Sequence, residues 1–530
     1  MVRITGTISL AYVYVVGAQQ ELFQWQPCAF SEDPRLECGS LRVPLNHLHP
    51  SVNETIDIAV RRYRVENGTQ SLGTILVNPG GPGHHGTAMA SAGLATYLGG
   101  QYDVLGFDPR GVGLSRPARC TKNGYTSLRE WPSLSNLPFD SPTAEKSLAR
   151  YGASLEAIVR RCEKYDGQYL KYLSTSFVAR DMDLIRAALN ESVVNYYGVS
   201  YGSTLGATYA NMYPNRVGRF VIDSVLDPTL YTGPPSNLLA KSTVDADETF
   251  DGFADACEKA GPLKCPLAYA AQVGKRVRAF LAGMVESPLL VPAGDDFSVL
   301  TAADVRANIL NTLYRPGQWL GLAHRLHSLM EGTYEASPVD EVCPLTDSSY
   351  LGMGMEFSIY IGNDGDSERA QDWHGALREA KRKSPLFGMQ FASYALPARY
   401  WKVRPIERYS GPWNTMLRQP ILILQNKLDP VTPLQSARAL AKTMGTNAVL
   451  VTRDGFGHET SNTPSKCIQN TLTAFFSNGT YPKHNSNCKV DMGPFDGAGP
   501  HAARRALADK MEAARQEVTK ILTQARQPML

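Results

Sequence analysis

The sequence lacks a marked excess of one charge and lacks familiar metal-binding motifs. Its 53 Lys and Arg residues nearly balance 50 Asp and Glu residues, which leaves a formal net charge of +3. A chain without a basic stripe cannot neutralise a phosphate backbone, so we expect no nucleic-acid partner. No HExxH segment, paired CxxC or EF-hand loop occurs, and we predict no metal and no cofactor. We interpret Asp364, Asp366 and Glu368 as a solvated loop rather than a cation site.

Long apolar runs are also missing. The apolar stretch at residues 4–16 is well short of the roughly 20 residues that a membrane helix needs, and no later run reaches that length. Because this stretch follows a basic N-terminus and precedes the small pair Gly17-Ala18, it is typical of a signal peptide. We therefore predict that residues 1–18 are a signal peptide, that the protein is secreted, and that it has no membrane span.

Cysteines and glycosylation motifs fit the same secretory route. Most of the nine cysteines should pair in an oxidising compartment. Sequence alone does not fix the connectivity, but the candidates are Cys28 with Cys38, Cys257 with Cys265, Cys467 with Cys488 and, over a longer loop, Cys120 with Cys162, which leaves Cys343 over. Asn-X-Ser/Thr sequons predict N-glycosylation at Asn53, Asn67, Asn190 and Asn478.

Short apolar runs alternate with helical stretches in the first half of the chain. The runs at residues 73–79, 102–109, 193–200 and 220–228 predict strands of a buried parallel sheet. Helical patterns at residues 144–165 and 177–189 lie between them, and residues 36–43 and 55–65 predict an antiparallel start to the sheet. With 530 residues, of which 43% are apolar, the chain can bury the large core of an α/β fold.

The strand pattern stops after Pro234-Pro235 and resumes near residue 420. The sequence between these two points has a mostly helical pattern, whereas residues 420–425 and 447–452 again predict strands. We therefore predict an inserted helical cap. The predicted organisation is a first core part at residues 19–235, the cap at 236–405, a second core part at 406–490, and a C-terminal linker with an amphipathic helix at 491–530.

The strongest local signal is the segment Gly198-Val199-Ser200-Tyr201-Gly202. It follows a predicted strand and precedes a predicted helix, which is the context that a nucleophile elbow requires. Such a tight turn exposes the serine Oγ above the sheet, while the glycines allow neighbouring backbone to approach. The sequence therefore predicts Ser200 as a catalytic nucleophile.

A serine nucleophile needs a base and an acid that orients the base. Asp429 and His458 follow Ser200 in the expected chain order, each just after a predicted strand, and we predict them as acid and base. Asp223 and Asp227 remain alternative acids. Acyl transfer also needs donors for the oxyanion. The NPGGPG loop at residues 78–83 follows a strand and predicts that the N–H of Gly81 acts with that of Tyr201.

Further motifs occur in a fixed order along the chain. They are WQPC at 25–28, LEC at 36–38, VPL at 43–45, NPGGPG at 78–83, GFDPRGVGLS at 106–115, GVSYGS at 198–203, LDP at 428–430 and GFGH at 455–458. Through them, residues 23–490 resemble secreted α/β-hydrolases of the tripeptidyl aminopeptidase and proline iminopeptidase group. The resemblance implies an α/β-hydrolase core with mostly parallel sheet, an inserted helical cap, and serine hydrolysis of peptides from a free amino end by Ser200, Asp429 and His458.

Two departures from that family concern substrate recognition. The oxyanion loop continues as His84-His85-Gly86, where the family usually has Gly-Ser-Gly. In the cap, the closest match to the family's Ala-Ile-x-Cys-x-Asp string is SIYIGN at 358–363, which lacks the cysteine and the acid, and no cysteine stands near Trp401. The sequence does not rank the cap acids that could bind a substrate ammonium, which are Asp245, Asp247, Glu248, Glu356 and Asp364.

These observations leave two enzymatic hypotheses. The leading one is an exopeptidase that releases residues or short peptides from substrate N-termini through an acyl-enzyme. The alternative is a hydrolase of small esters or amides, as used in secondary metabolism, because the same fold and catalytic residues serve both. A catalytically silent binding protein is disfavoured because the nucleophile and the base are present. The sequence does not indicate the oligomeric state.

Overall fold

A ten-stranded sheet is the framework of the protein. The computed structural model describes residues 22–29, 31–66, 70–120, 144–336, 355–367 and 372–496. The strands, in chain order, are β1 (Gln26–Pro27), β2 (Leu36–Pro44), β3 (Thr55–Tyr63), β4 (Thr74–Asn78), β5 (Asp103–Phe107), β6 (Val194–Val199), β7 (Val217–Asp223), β8 (Leu289–Ala293), β9 (Asp296–Leu300), β10 (Ile421–Leu428), β11 (Ala448–Phe456) and β12 (Ser486–Lys489).

Helices connect the strands and form the inserted part. They are α1 (Ala92–Tyr97), α2 (Ala144–Leu170), α3 (Thr175–Ala188), α4 (Tyr201–Met212), α5 (Pro228–Tyr231), α6 (Pro235–Lys241), α7 (Ala246–Ala260), α8 (Val273–Glu286), α9 (Ala302–Leu313), α10 (Trp319–Met330), α11 (Met355–Asp364), α12 (Trp373–Lys383), α13 (Ala392–Ala395), α14 (Leu434–Met444) and α15 (Lys466–Asn478). Short polar residues begin several of them; Ser174, for example, accepts a hydrogen bond from the N–H of Phe177 at the start of α3.

The order of strands in the sheet is β1-β2-β3-β5-β4-β6-β7-β10-β11-β12. The first pairs, up to β3 with β5, are antiparallel, and all later pairs are parallel. This confirms the predicted α/β fold with an antiparallel start. Since the carboxyl ends of parallel strands lie at one edge of a sheet, the loops after β4, β6, β7, β10 and β11 meet there.

Two separate hydrophobic clusters divide the inserted residues. Helices α7 to α10 form a cluster of their own, with Phe250, Phe253 and Trp319 fully buried in it. Helices α11 and α12 instead pack into the cluster that covers the sheet, where Tyr360 and Trp373 are buried. The inserted part is mostly helical as predicted, but it also contains the antiparallel hairpin β8–β9. The inserted residues therefore fall into two parts, one centred on a hydrophobic cluster that also takes in Val431 and one that packs into the cluster covering the sheet.

Disulfides join all four cysteine pairs that the sequence suggested, including Cys120 with Cys162. The sequon residues Asn53, Asn190 and Asn478 are exposed, and their glycosylation stays a prediction. The signal peptide, Asn67, Glu368, Cys343 and the predicted C-terminal helix lie outside the described residues. Within the described ranges, no helix is both long and apolar enough to cross a membrane.

Candidate active site

Ser200 lies in the turn between β6 and α4. Its backbone has φ 59° and ψ −124°, a strained conformation for a residue other than glycine. The turn is held by a 3.0 Å hydrogen bond from the N–H of Ser200 to the carbonyl of Asp223. A Cβ on Gly202 would lie 2.6 Å from the carbonyl oxygen of Asn78, so only glycine fits there. This is the geometry that a nucleophile elbow requires.

His458 and Asp429 meet at the same edge of the sheet. The loops after β10 and β11 place Nδ1 of His458 2.9 Å from Oδ2 of Asp429. The carboxylate also accepts hydrogen bonds from the N–H groups of Val431 and Thr432, at 3.0 and 2.9 Å, and from the Thr432 hydroxyl, at 2.8 Å. These donors fix the carboxylate, and the carboxylate in turn orients the imidazole ring through Nδ1.

The pKa values of this pair shift in opposite directions. Burial disfavours the imidazolium, but the charge of Asp429 and the hydrogen bond to it outweigh burial and raise the pKa of His458 above its ordinary value of 6.5. Burial also opposes the ionised carboxylate, yet the charge of His458 lowers the pKa of Asp429 below 3.8. The pair therefore favours a charged carboxylate beside an imidazole that holds a proton well.

The two alternative acids have other partners. Asp223, also fully buried, accepts hydrogen bonds from the N–H and hydroxyl of Thr460 and from the hydroxyl of Tyr197. Burial raises the pKa of Asp223 to about 6. Asp227 begins α5 and accepts from the N–H of Thr229. The structure thus pairs His458 with Asp429 and not with Asp223 or Asp227.

The NPGGPG loop packs directly on the nucleophile turn. A Cβ on Gly80 would lie 2.8 Å from Cβ of Ser200 and 2.9 Å from the backbone nitrogen of Tyr201. Gly80 has φ 92° and Gly81 has φ 102°, values that favour glycine. The loop therefore holds the segment of Gly81 next to Tyr201, as the predicted pair of oxyanion donors needs.

His84 follows this loop and lies close enough to His458 for their charges to interact. Its side chain is exposed. Partial desolvation, together with the charges of His458, His85 and Arg315, lowers the pKa of His84 below 6.5. An imidazole with a lowered pKa therefore stands where the family usually has glycine. From the sequence, the departure was visible, but the proximity to His458 was not.

The inserted part contributes a residue that sequence reasoning missed. The carbonyl oxygen of Tyr314 accepts a 2.9 Å hydrogen bond from the N–H of His458, and the two rings meet edge to face at 5.0 Å between centroids. Tyr314 comes just after α9, more than a hundred residues from His458 in the chain. No local motif marks such a contact, because it exists only after the cap has packed on the sheet.

The structure ranks the five candidate acids of the cap. Asp247 accepts from the N–H of Leu386, and Glu248 is exposed. Asp245 is half-buried, and burial with the nearby charge of Asp429 raises its pKa to about 6. Glu356 differs from the others because it is 3% exposed and its Oε2 has no hydrogen-bond partner among the described residues. Burial holds the pKa of Glu356 well above its ordinary value of 4.5.

Asp364 corrects one of our predictions. It is 2% exposed and accepts hydrogen bonds from Thr175 and Tyr231, so the prediction of a solvated loop is wrong for this residue. It also ends α11 one position after the SIYIGN string, so this helix does carry an acid. Among the described residues, no group of three or more His, Cys, Asp or Glu side chains could hold a metal ion.

Comparisons with known proteins agree with this fold. The family model described as "alpha/beta hydrolase fold" matches residues 73–257, and the one described as "TAP-like protein" matches residues 384–488. The serine protease Hip1 of Mycobacterium tuberculosis is 26% identical over 507 residues, covering 88% of this chain and 90% of Hip1. The tripeptidyl aminopeptidase of Streptomyces lividans is 26% identical over 500 residues, covering 89% and 87%. Carboxylesterase B of Mycobacterium tuberculosis is 28% identical over 501 residues, covering 89% and 91%.

The parallel sheet, with a strained serine turn at the carboxyl end of β6, defines an α/β-hydrolase. Most of the chain aligns with the relatives named above, and the match to the TAP-like model covers the segment that supplies Asp429 and His458. The chain therefore has an α/β-hydrolase fold, and its residues 384–488 match the model described as "TAP-like protein".

Proposed function

We propose that this protein is a secreted serine exopeptidase that releases residues or short peptides from substrate N-termini. Ser200 is the nucleophile, His458 the base and Asp429 the acid that orients the base. The names of two relatives, a serine protease and a tripeptidyl aminopeptidase, support peptidase activity. The disulfides support an oxidising compartment outside the cytoplasm.

The reaction proceeds in two acyl-transfer steps. Oγ of Ser200 bonds to the scissile carbonyl carbon while its proton passes to Nε2 of His458, and the N–H groups of Gly81 and Tyr201 bind the oxyanion. The C–N bond then breaks, and the amine leaves with the proton from His458. Water attacks the resulting ester, giving its proton to His458, and this proton returns to Oγ as the acyl group is released.

Glu356 is the observation that carries the assignment to substrates with a free amino end. A Cβ on Gly83 would lie 2.9 Å from Cβ of Glu356, so the residue sits against the loop that contains Gly81. Its buried carboxyl group has an oxygen without a partner, which is costly in a folded protein. A substrate ammonium would supply both the missing donor and a counter-charge.

The test compares a peptide substrate bearing a free ammonium with its N-acetylated form. We expect acetylation to lower kcat/KM at least about a hundredfold, or roughly 2.7 kcal/mol at 1.36 kcal/mol per decade. Glu356→Gln should abolish this difference, whereas Glu248→Gln, at an exposed cap position, should retain it. Asp245→Asn is the informative second variant, because Asp245 is a cap acid close enough to Asp429 for their charges to interact. Equal cleavage of both substrates by the unaltered enzyme would exclude the exopeptidase.

A second candidate function is the hydrolysis of small esters or amides. It is favoured by the relative named carboxylesterase B, at 28% identity. Cleavage of simple chromogenic esters, together with no cleavage of Ala-Ala-Pro or Pro amides, would establish this alternative and leave Ser200, Asp429 and His458 in their roles.

A further inference from the structure

Helix α11 contacts the site at both of its ends. At its N-terminal end, Glu356 packs on Gly83, where an added Cβ would approach the Glu356 Cβ to 2.9 Å. Gly83 follows the peptide segment of Gly81 by only two residues. The start of the helix therefore limits how far the oxyanion loop can move away from Ser200.

The C-terminal end of α11 reaches the other oxyanion donor through a chain of hydrogen bonds. Oδ2 of Asp364 accepts from the hydroxyl of Thr175 at 2.6 Å, and Oδ1 accepts from the N–H of Thr175 at 3.0 Å. The Thr175 hydroxyl has one hydrogen, which it donates to Asp364. The hydroxyl of Tyr201, 2.8 Å away, must therefore donate to Thr175.

The ring of Tyr201 is also enclosed by neighbouring aromatic rings. Tyr231 and Tyr360 have their ring centroids 5.6 and 5.8 Å from that of Tyr201. The hydroxyl of Tyr231 donates to Asp364 at 3.2 Å. All of these side chains are buried, so the residue directly after the nucleophile is held by both packing and polar contacts.

Helix α11 is itself fixed to the core along its length. The hydroxyl of Tyr360 donates to the carbonyl of Arg110 at 2.7 Å, and the amide of Asn363 donates to the carbonyls of Leu170 and Leu173 at 2.8 and 2.6 Å. The indole of Trp401 packs on Gly362, where an added Cβ would lie 2.5 Å from Cγ of Trp401. The indole N–H also donates a 2.7 Å hydrogen bond to Oδ1 of Asn363.

We propose that α11 is a strut that holds both oxyanion donors in position, with Asp364 and Thr175 as positioning residues. The inference rests on the proposed function, because it takes Gly81 and Tyr201 as the donors. One helix contacts the loop of Gly81 at one end and is linked to the side chain of Tyr201 through Thr175 at the other. Oxyanion stabilisation depends on the exact placement of such donors, so loosening the strut lowers turnover without changing substrate binding.

The test is Thr175→Val, which removes only the hydroxyl that links Asp364 to Tyr201. Active sites are counted by fluorophosphonate titration, and kcat is expressed per titrated site. We expect kcat to fall about tenfold with KM within about twofold, and affinity for a peptide boronate, which forms a tetrahedral adduct, to fall by the same factor. Thr175→Ser retains the hydroxyl and should restore all three quantities.

Thr312→Val provides the matched control, since Thr312 is also buried but its hydroxyl donates to the carbonyl of Asn308 within α9. Its kcat per site should equal that of the unaltered enzyme. If Thr175→Val had fewer titratable sites but an unchanged kcat per site, Thr175 would have only a structural role, and the proposal for α11 would be wrong. Failure of fluorophosphonate to label Ser200 in the unaltered enzyme would overturn the proposed function as well.

Discussion

Two buried carboxyl groups, one at the sheet edge and one in the cap, have opposite properties. Asp429 is fully buried and accepts hydrogen bonds from Val431, Thr432 and His458. Glu356 is almost as buried, but its Oε2 lacks a partner in the described structure. Burial alone would raise the pKa of both groups. At Asp429 the charge of His458 outweighs burial and lowers the pKa, whereas at Glu356 burial dominates and the pKa is raised.

The two carboxyl groups differ in whether the chain itself supplies their hydrogen-bond donors. At the sheet edge, loops of the same chain supply the donors to Asp429, so the pair of Asp429 and His458 is hydrogen-bonded without a ligand. In the cap, Oε2 of Glu356 has no hydrogen-bond donor among the described residues, and we propose that a substrate ammonium supplies one. The difference between the two carboxyl groups is therefore one of available donors and charges, not of depth.

The largest effect should come from the sheet edge itself. Ser200→Ala removes the nucleophile, and since catalytic residues of this kind act as a unit, kcat should fall on the order of 10⁶-fold. Covalent labelling by a fluorophosphonate should disappear, which mass spectrometry of the treated protein measures. Full labelling of the variant would place the nucleophile at another residue.

A smaller loss should distinguish the acid that orients His458 from its neighbour. Asp429→Asn should lower kcat about 10⁴-fold, because the imidazole loses the carboxylate that sets its tautomer. Asp223→Asn is the matched control, a buried carboxyl group that binds Thr460 and Tyr197 instead of His458. If Asp223→Asn reduced kcat more than Asp429→Asn, the assignment of the acid would be wrong.

The smallest expected effect is on stability, because the contributions of Asp429 and Glu356 to the free energy of unfolding change with pH in opposite directions. The lowered pKa of Asp429 contributes stability above the unfolded value of 3.8, and this contribution is lost as pH falls through the folded pKa. The raised pKa of Glu356 contributes below 4.5, and this contribution is lost as pH rises through the folded pKa. Glu356→Gln should therefore increase the free energy of unfolding at pH 8, by about 1 kcal/mol, and by less near pH 4.

Urea unfolding at both pH values measures this difference. Glu248→Gln, at an exposed position, controls for the charge change alone and should leave stability unaffected at either pH. Asp429→Asn should lower stability at pH 8. If Glu356→Gln and Asp429→Asn lowered the free energy of unfolding equally at pH 8, the carboxyl group of Glu356 would have a stabilising partner, and its contrast with Asp429 would be wrong.

Local sequence patterns were sufficient to predict which residues lie at the carboxyl edge of the sheet. The elbow around Ser200 and the strands before Asp429 and His458 are each encoded in a few consecutive residues, and the structure brings Asp429 and His458 into contact. The predicted bounds of β7 were the least accurate, since the strand begins at Val217 and ends at Asp223 rather than covering residues 220–228. Its apolar run continues past the strand into a buried turn, so the pattern could not mark the end.

The sequence by itself determined the α/β fold, the serine turn and the chain order of Asp429 and His458, because each depends on residues close together or on the alternation of strands and helices. Only the tertiary structure decided that Tyr314 meets His458, that Asp364 is buried against Thr175, and that Glu356 is left without a partner. These contacts join residues more than a hundred positions apart, or depend on a donor being absent in space. Neither kind of fact leaves a periodic or local trace in a sequence.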